Sequence, residues 1–244
     1  MHLPSPRAEP FAGEATFVTG ADHPGSYPPE PFPEVAFVGR SNVGKSALLN
    51  RLLNRRKLAR VSRTPGCTRR INFFRVKDRW WFVDLPGYGF AQVAAAESRQ
   101  WDKSIGAYLR SRTDLRAVIL LIDLRRGILD MDRTMIALLH AQAIPFLPVA
   151  TKVDKLNRRD RDRNLGQLRR DLSRLSPLGP VAPSSALSGE GIAPLQQRLL
   201  ELLTAADPAT TEPATTEPAA LGGPATASPF PISPDAAAAA GKAP

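Results

Sequence analysis

The sequence predicts an α/β protein: a mostly parallel six-stranded sheet with one antiparallel edge strand and helices on both faces. Three observations carry this. Residues 34–203 alternate apolar runs with helical patterns, as strand–helix–strand units do. Gly39-Arg40-Ser41-Asn42-Val43-Gly44-Lys45-Ser46 fits G-x-x-x-x-G-K-[ST] and lies between an apolar run and a helical pattern. Strand, glycine turn and helix in that order describe a P-loop NTPase. Val76-Lys77-Asp78-Arg79-Trp80 reads as a tight turn between two antiparallel strands, which puts a hairpin at one edge.

The 244 residues suffice for one domain with extensions, or for two small domains. Hydrophobic residues make up 43% and charged residues 23%, ordinary for a globular chain. No apolar stretch is long enough to span a bilayer, and Met1–Arg7 has no apolar signal core. The single cysteine, Cys67, cannot form an internal disulfide, so the expected compartment is the reducing cytoplasm. Residues 1–33 and 204–244 carry −3 each against a total of +10, which leaves +16 on residues 34–203. A body that basic suggests a polyanionic partner, with RNA first.

Residues 1–33 read as a proline-rich lead-in with a short strand at Ala15-Thr16-Phe17-Val18. The first strand of the main body is 34–38. The P-loop after it turns successive backbone N–H groups inward into an anion-binding concavity. The predicted helix 45–55 adds the partial positive charge of its N-terminus. Lys45 then reaches the β- and γ-phosphates, and the Ser46 hydroxyl binds Mg²⁺. Next comes Ser62-Arg63-Thr64-Pro65-Gly66-Cys67-Thr68-Arg69-Arg70. A loop here is expected to respond to the γ-phosphate. Thr68 is the expected Mg²⁺ ligand, with Thr64 as fallback, and Gly66 to Arg70 line the nucleotide.

Strands 70–77 and 79–84 form the hairpin and end in Asp84-Leu85-Pro86-Gly87. An acid at the end of a strand beside the P-loop strand is placed to hold Mg²⁺ through water. The Gly87 backbone N–H faces the γ-phosphate. Tyr88 follows, where a glutamine would otherwise orient the attacking water. Trp80, Trp81 and Trp101 read as packing rather than base-stacking residues.

Helix 97–112, strand 116–122 and helix 130–142 continue the alternation. Strand 145–150 then ends in Thr151-Lys152-Val153-Asp154, the base-reading corner. The Asp154 carboxylate can accept two hydrogens from the N1 and N2 edge of guanine. Adenine offers no such pair, so a carboxylate buried against it would go unpartnered. The Lys152 stem can lie over the purine ring. Thr151, where asparagine is commoner, can bond to the P-loop side. The ligand is therefore GTP or GDP. A P-loop kinase or ATPase is the competing class, and Lys152 and Asp154 argue against it. After helix 158–174 and strand 180–184, Ser185-Ala186-Leu187 can offer a backbone N–H near Ala186 to guanine O6. Helix 191–203 closes the body. The segment 204–244 repeats Ala-Thr-Thr-Glu-Pro and reads as disordered, with no chemistry assigned.

Four stretches together resemble the EngB (YihA/YsxC) family of bacterial GTP-binding proteins. They are Gly-Arg-Ser-Asn-Val-Gly-Lys-Ser from Gly39, Thr-Pro-Gly-Cys-Thr-Arg-Arg-Ile-Asn-Phe-Phe from Thr64, Asp-Leu-Pro-Gly-Tyr-Gly-Phe-Ala from Asp84 and Thr-Lys-Val-Asp-Lys-Leu from Thr151. The likeness spans about residues 30–203. It implies a TRAFAC-type G domain, Mg²⁺-dependent GTP hydrolysis, a role in assembling the large (50S) ribosomal subunit, and a need for the protein in cell division and septation. Two features depart from the family pattern: Cys67, in place of a basic or polar residue, and the long tail. Asn42 lies where related GTPases hold a K⁺ ion, which stands in for an arginine finger. Catalysis is thus expected from Lys45, Asn42 and Gly87, slow unless K⁺ or the ribosomal partner stimulates it. The protein is expected to act as a monomer. A second class of function is a nucleotide-gated interaction protein of the division machinery with incidental hydrolysis.

Two arginine-rich clusters flank the site. Arg51, Arg55, Arg56, Lys57, Arg60, Arg63, Arg69 and Arg70 have no local acidic partners in sequence and are expected to meet ribosomal RNA phosphates. Lys155, Arg158, Arg159, Arg161, Arg163, Arg169, Arg170 and Arg174 are interleaved with Asp160, Asp162 and Asp171, which can pair within the helix.

Overall fold

The computed structural model describes residues 10–11, 15–55, 58–59, 70–89, 95–175 and 177–205. Its centre is a seven-stranded sheet in the order β1-β3-β4-β2-β5-β6-β7. The strands are β1 (Ala15–Ala21), β2 (Glu34–Gly39), β3 (Ile71–Val76), β4 (Trp80–Asp84), β5 (Leu115–Asp123), β6 (Phe146–Thr151) and β7 (Ala182–Pro183). The helices are α1 (Lys45–Leu52), α2 (Ala95–Ser111), α3 (Asp130–Ala141), α4 (Arg158–Ser173) and α5 (Ile192–Thr204). β4, β2, β5, β6 and β7 run parallel, and β3 is antiparallel to both its neighbours.

The central strands are buried on both faces, so their sequences are continuously apolar rather than alternating. Successive residues nonetheless serve different layers. Ala36, Val38, Trp81, Val83, Val118 and Leu120 face one core, closed by Ile105 and Tyr108 of α2, Met135, Ile136 and Leu139 of α3, and Leu165, Leu168 and Leu172 of α4. Val35, Phe37, Phe82, Ile119 and Leu121 face the other, closed by Leu48, Leu49 and Leu52 of α1 and Leu195, Leu199 and Leu203 of α5. The i, i+3, i+4 and i+7 spacing on each helix is what makes one stripe available to the sheet. Each such leucine contributes about 1.5–3 kcal/mol by leaving water. Trp80 and Trp81 pack in the core, as expected, with the Arg79 guanidinium over Trp80 at 4.5 Å. The side chain of Trp101 lies outside the described residues.

The sheet gains a seventh strand from the lead-in. The short strand expected at 15–18 runs on to Ala21 and pairs antiparallel along the whole of β3, with a bulge at Val18. The hairpin therefore lies one strand in from the edge. Phe11 anchors the lead-in by edge-on ring contacts with Trp80 and Phe82, at 5.6 and 5.0 Å between centroids.

Two predicted elements are shorter than their sequence patterns. α1 ends at Leu52 rather than 55, because Asn54 takes a left-handed backbone (φ 48°) and the Gln196 side chain caps the Leu52 carbonyl at 2.8 Å. The strand read at 180–184 keeps only two residues, and Pro183, with no N–H, suits its edge position. The disordered reading of the tail falls outside the described residues from 206 onward.

At the amino-terminal end of the strands, Glu34 is fully buried and accepts from the Tyr108 hydroxyl and from Arg112 Nε and Nη2, the last two at 3.0 and 2.7 Å. Burial raises its carboxyl above the usual range, against the pull of Arg112. Arg112 also donates to the Pro28 carbonyl at 3.2 Å, and Trp81 Nε1 to that of Glu30 at 3.1 Å. These bonds tie the lead-in under the sheet.

Candidate functional site

Polar residues collect at the opposite, carboxyl-terminal end, where each buried strand runs out of apolar residues. Asp84 ends β4, Asp123 ends β5, Thr151 ends β6, and Ser184 follows β7. In a parallel sheet this edge is where ligands bind.

Gly39 to Ser46 leave β2 in a tight turn and enter α1. Asn42 and Gly44 take positive φ values of 63° and 108°, and Gly44 is the helix N-cap, a conformation only glycine adopts without strain. Lys45 and Asp84 are buried, and the lysine ammonium donates to Asp84 Oδ1. The strand-end loop is laced to the P-loop: Ser41 N donates to the Tyr88 carbonyl at 2.9 Å, and Tyr88 N to that of Gly39 at 3.3 Å. Gly87 lies close to Ser41, and a Cβ there would sit 3.3 Å from its backbone, a tight approach that glycine eases.

Tyr88 is itself buried, and its hydroxyl donates to Asp132 Oδ1 at 2.6 Å. Asp132 Oδ2 meanwhile accepts from Leu129 N at 2.9 Å at the start of α3. Burial raises the Asp132 carboxyl above its ordinary range.

At the end of β6, Thr151 Oγ1 donates to the Val43 carbonyl at 2.8 Å, which joins β6 to the P-loop. Lys152 has a left-handed backbone (φ 59°) and crosses the P-loop, with its ammonium on the Asn42 carbonyl and, at 3.0 Å, on Asp123 Oδ2. Asp154 Oδ1 accepts from Ser185 Oγ at 2.6 Å, and Ser185 Oγ accepts from Ser188 N at 3.0 Å. Val153 N reaches the Ser184 carbonyl at 3.4 Å. The segments at 151–154 and 184–188 thus form one unit. Leu187 is 75% exposed beside it. A polar cleft of about 220 Å³ separates Arg40–Val43 from the loop after β5.

The structure therefore brings Gly39 to Ser46, Asp84 to Gly87, Thr151 to Asp154 and Ser185 to Leu187 to one edge. Arg70 is exposed at the start of β3. Gly66, Cys67, Thr68 and Arg69, with Thr64, lie outside the described residues. Among the described residues no cluster of three metal-ligating side chains occurs. Ser46 and Asp84 still offer an all-oxygen pair, which suits Mg²⁺, an ion that takes one or two protein ligands and fills the rest from phosphate and water.

Four functional candidates escaped sequence reading: Asn50, Tyr88 as an anchor, Asp123 and Asp132. Asn50 clamps Ala59 through two hydrogen bonds of 2.8 Å. Asp123 had the same signal as Asp84, an acid closing an apolar run. Burial works to raise its carboxyl, but bonds from Arg125 and Lys152 outweigh it and hold it down at about 2.

Of the first basic cluster, Arg51 and Arg70 are exposed, while Arg55 donates to the Ala15 carbonyl at 3.2 Å, a backbone partner the sequence did not suggest. Arg56, Lys57, Arg60, Arg63 and Arg69 lie outside the described residues. In the second cluster, Arg163 pairs with Asp160 at 2.9 Å, and Arg161 with Glu190.

The chain is similar to known GTP-binding proteins. A family model described as "50S ribosome-binding GTPase" matches residues 34–152. The probable GTP-binding protein EngB of Geobacter sulfurreducens is 48% identical over 177 residues, 72% of this chain and 85% of that protein. That of Solibacter usitatus is 43% identical over 192 residues, 79% and 97% of the two chains. The crystal structure of a probable GTP-binding protein engB superposes with a TM-score of 0.57 at 26% identity, covering 70% of this chain and 98% of the other. With these near full-length relatives, the chain belongs to the EngB family of GTP-binding proteins and is a GTPase.

Proposed function

We propose that the chain is a GTP-driven switch in assembly of the large ribosomal subunit, acting in the cytoplasm as a monomer. The observation that carries this reading is the charge distribution: +16 on residues 34–203, with basic residues running from α1 through the segment between Ser46 and Asp84, next to the phosphates. A loop that responds to the γ-phosphate and carries arginines couples RNA affinity to nucleotide state.

In this reading the backbone from Gly39 to Ser46 cradles the phosphates and Lys45 shifts from Asp84 onto the β- and γ-oxygens. Ser46, Asp84 and Thr68 would hold Mg²⁺, which when bound would neutralise charge on the transferring group. Gly87 N–H meets the γ-phosphate. Asp154 reads the guanine edge, Lys152 lies along the purine, and the backbone at Ala186 meets O6. Tyr88 cannot orient water, because its hydroxyl is committed to Asp132 inside the protein. Catalysis then rests on positioning and charge neutralisation, and is slow. Asn42 is exposed, and its side chain makes no hydrogen bond among the described residues, so it is free to hold K⁺. Equal hydrolysis in KCl and NaCl would remove K⁺ from the scheme.

The test is cosedimentation of the protein with 50S particles and their precursors. Binding is expected with a non-hydrolysable GTP analogue, weaker binding with GDP, and a steep loss with added salt. A partner in the division machinery instead predicts no particle binding in either state.

A further inference from the structure

Asp123 stands outside every role assigned above, yet it is the most heavily used carboxylate at the site. Its Oδ1 accepts from Arg125 N and Nε at 3.1 and 2.9 Å, and its Oδ2 from Arg125 Nη2 and Lys152 Nζ at 2.6 and 3.0 Å. The loop that follows folds back on the same residue, with Arg126 N and Gly127 N on its carbonyl at 2.9 and 3.1 Å. Lys152 leaves its backbone in a left-handed turn and spans the P-loop, with its Cε 3.7 Å from where a Cβ on Gly44 would be. The ammonium ends between the Asn42 carbonyl and Asp123.

A free lysine has several rotatable bonds, and fixing them costs conformational entropy. A stem anchored at both ends has lost that freedom before a ligand arrives. We infer that Asp123, braced by Arg125, is a positioning residue for guanine binding: it holds the Lys152 stem in place as the shelf on which the purine lies. The inference rests on the assignment of Lys152 to the base.

The shelf touches the base and not the γ-phosphate, so Asp123→Asn is expected to weaken GTP and GDP alike, by about tenfold for one lost charge-assisted hydrogen bond. The loss falls on the off-rate of a fluorescent guanine nucleotide, and the GTP-to-GDP ratio stays constant. Competition by inorganic tripolyphosphate, which has no base, is unchanged. In a Lys152→Met background the same substitution costs nothing further, which is the outcome a purely structural role does not give. Thermal melting confirms that each variant is folded. Full additivity in the double variant, or Asp123→Asn binding as tightly as the parent, overturns the inference alone. Failure of the parent chain to bind either guanine nucleotide takes down the base assignment, and this inference with it.

Discussion

Two buried cation–carboxylate pairs stand at opposite ends of the central strands, and they differ in how full their hydrogen-bonding shells are. Glu34 and Arg112 form the lower pair. Glu34 has both oxygens occupied, by Tyr108 and by two nitrogens of Arg112, and Arg112 is further committed to the Pro28 carbonyl. Lys45 and Asp84 form the upper pair. Among the described residues the lysine uses one of its three donors, on Asp84 Oδ1. A saturated pair can only hold the fold together. An unsaturated one can exchange partners, and a triphosphate is a better partner for an ammonium than a single carboxylate.

The sharpest way to break this comparison is to remove one cation from each pair. Arg112→Leu leaves Glu34 without its cation at 0% exposure and should cost about 3–5 kcal/mol in urea unfolding. GTP affinity of the folded fraction should not change. Lys45→Ala should lower GTP affinity at least about a hundredfold, since charge-assisted bonds to two phosphates go together. Its stability loss should be smaller than that of Arg112→Leu, because Asp84 lies at the ligand edge, where water can enter. Equal unfolding midpoints for the two variants would erase the distinction between holding and exchanging.

Asp154→Asn sharpens the contrast within the site. An amide keeps only one acceptor for the N1 and N2 edge, so GTP and GDP should both weaken by about a hundredfold. Xanthine carries a carbonyl at C2, which the new NH₂ can meet, so xanthosine nucleotides should improve. Competition binding with the four nucleotides measures both changes. A loss confined to GTP would move Asp154 from the base to the phosphates.

The parts of the fold and site that could be read from sequence are those whose cause is local. Gly44 shows its role through its immediate neighbours, strand before and helix after. Asp84 and Thr151–Asp154 show their place at the strand ends by closing an apolar run. What the sequence hid depends on partners far along the chain. Thr151 is tied to Val43 across 108 residues, Gln196 to Leu52 across 144, and Tyr88 to Asp132 across 44. Nothing in the spacing of Tyr88 distinguishes an anchored side chain from one that faces the nucleotide. The edge strand was half visible: Ala15 to Val18 have strand-forming residues, but the bulge at Val18 breaks the alternation that would have extended it.

The smallest expected effect tests that hidden anchor. Tyr88→Phe keeps the ring and removes the bond to Asp132, at a cost of about 1–2 kcal/mol. Asp132 has a raised folded-state pKa, so its titration favours the fold below the ordinary carboxylate range, and that support is lost as pH rises through the raised value. The Tyr88 hydroxyl is one of the bonds that hold this value down, so removing it pushes the value higher. The variant should therefore fall further behind the parent above the raised value, where the carboxylate is charged, than below it, where the carboxyl is protonated. Parallel stability–pH curves would mean that Asp132 finds another donor.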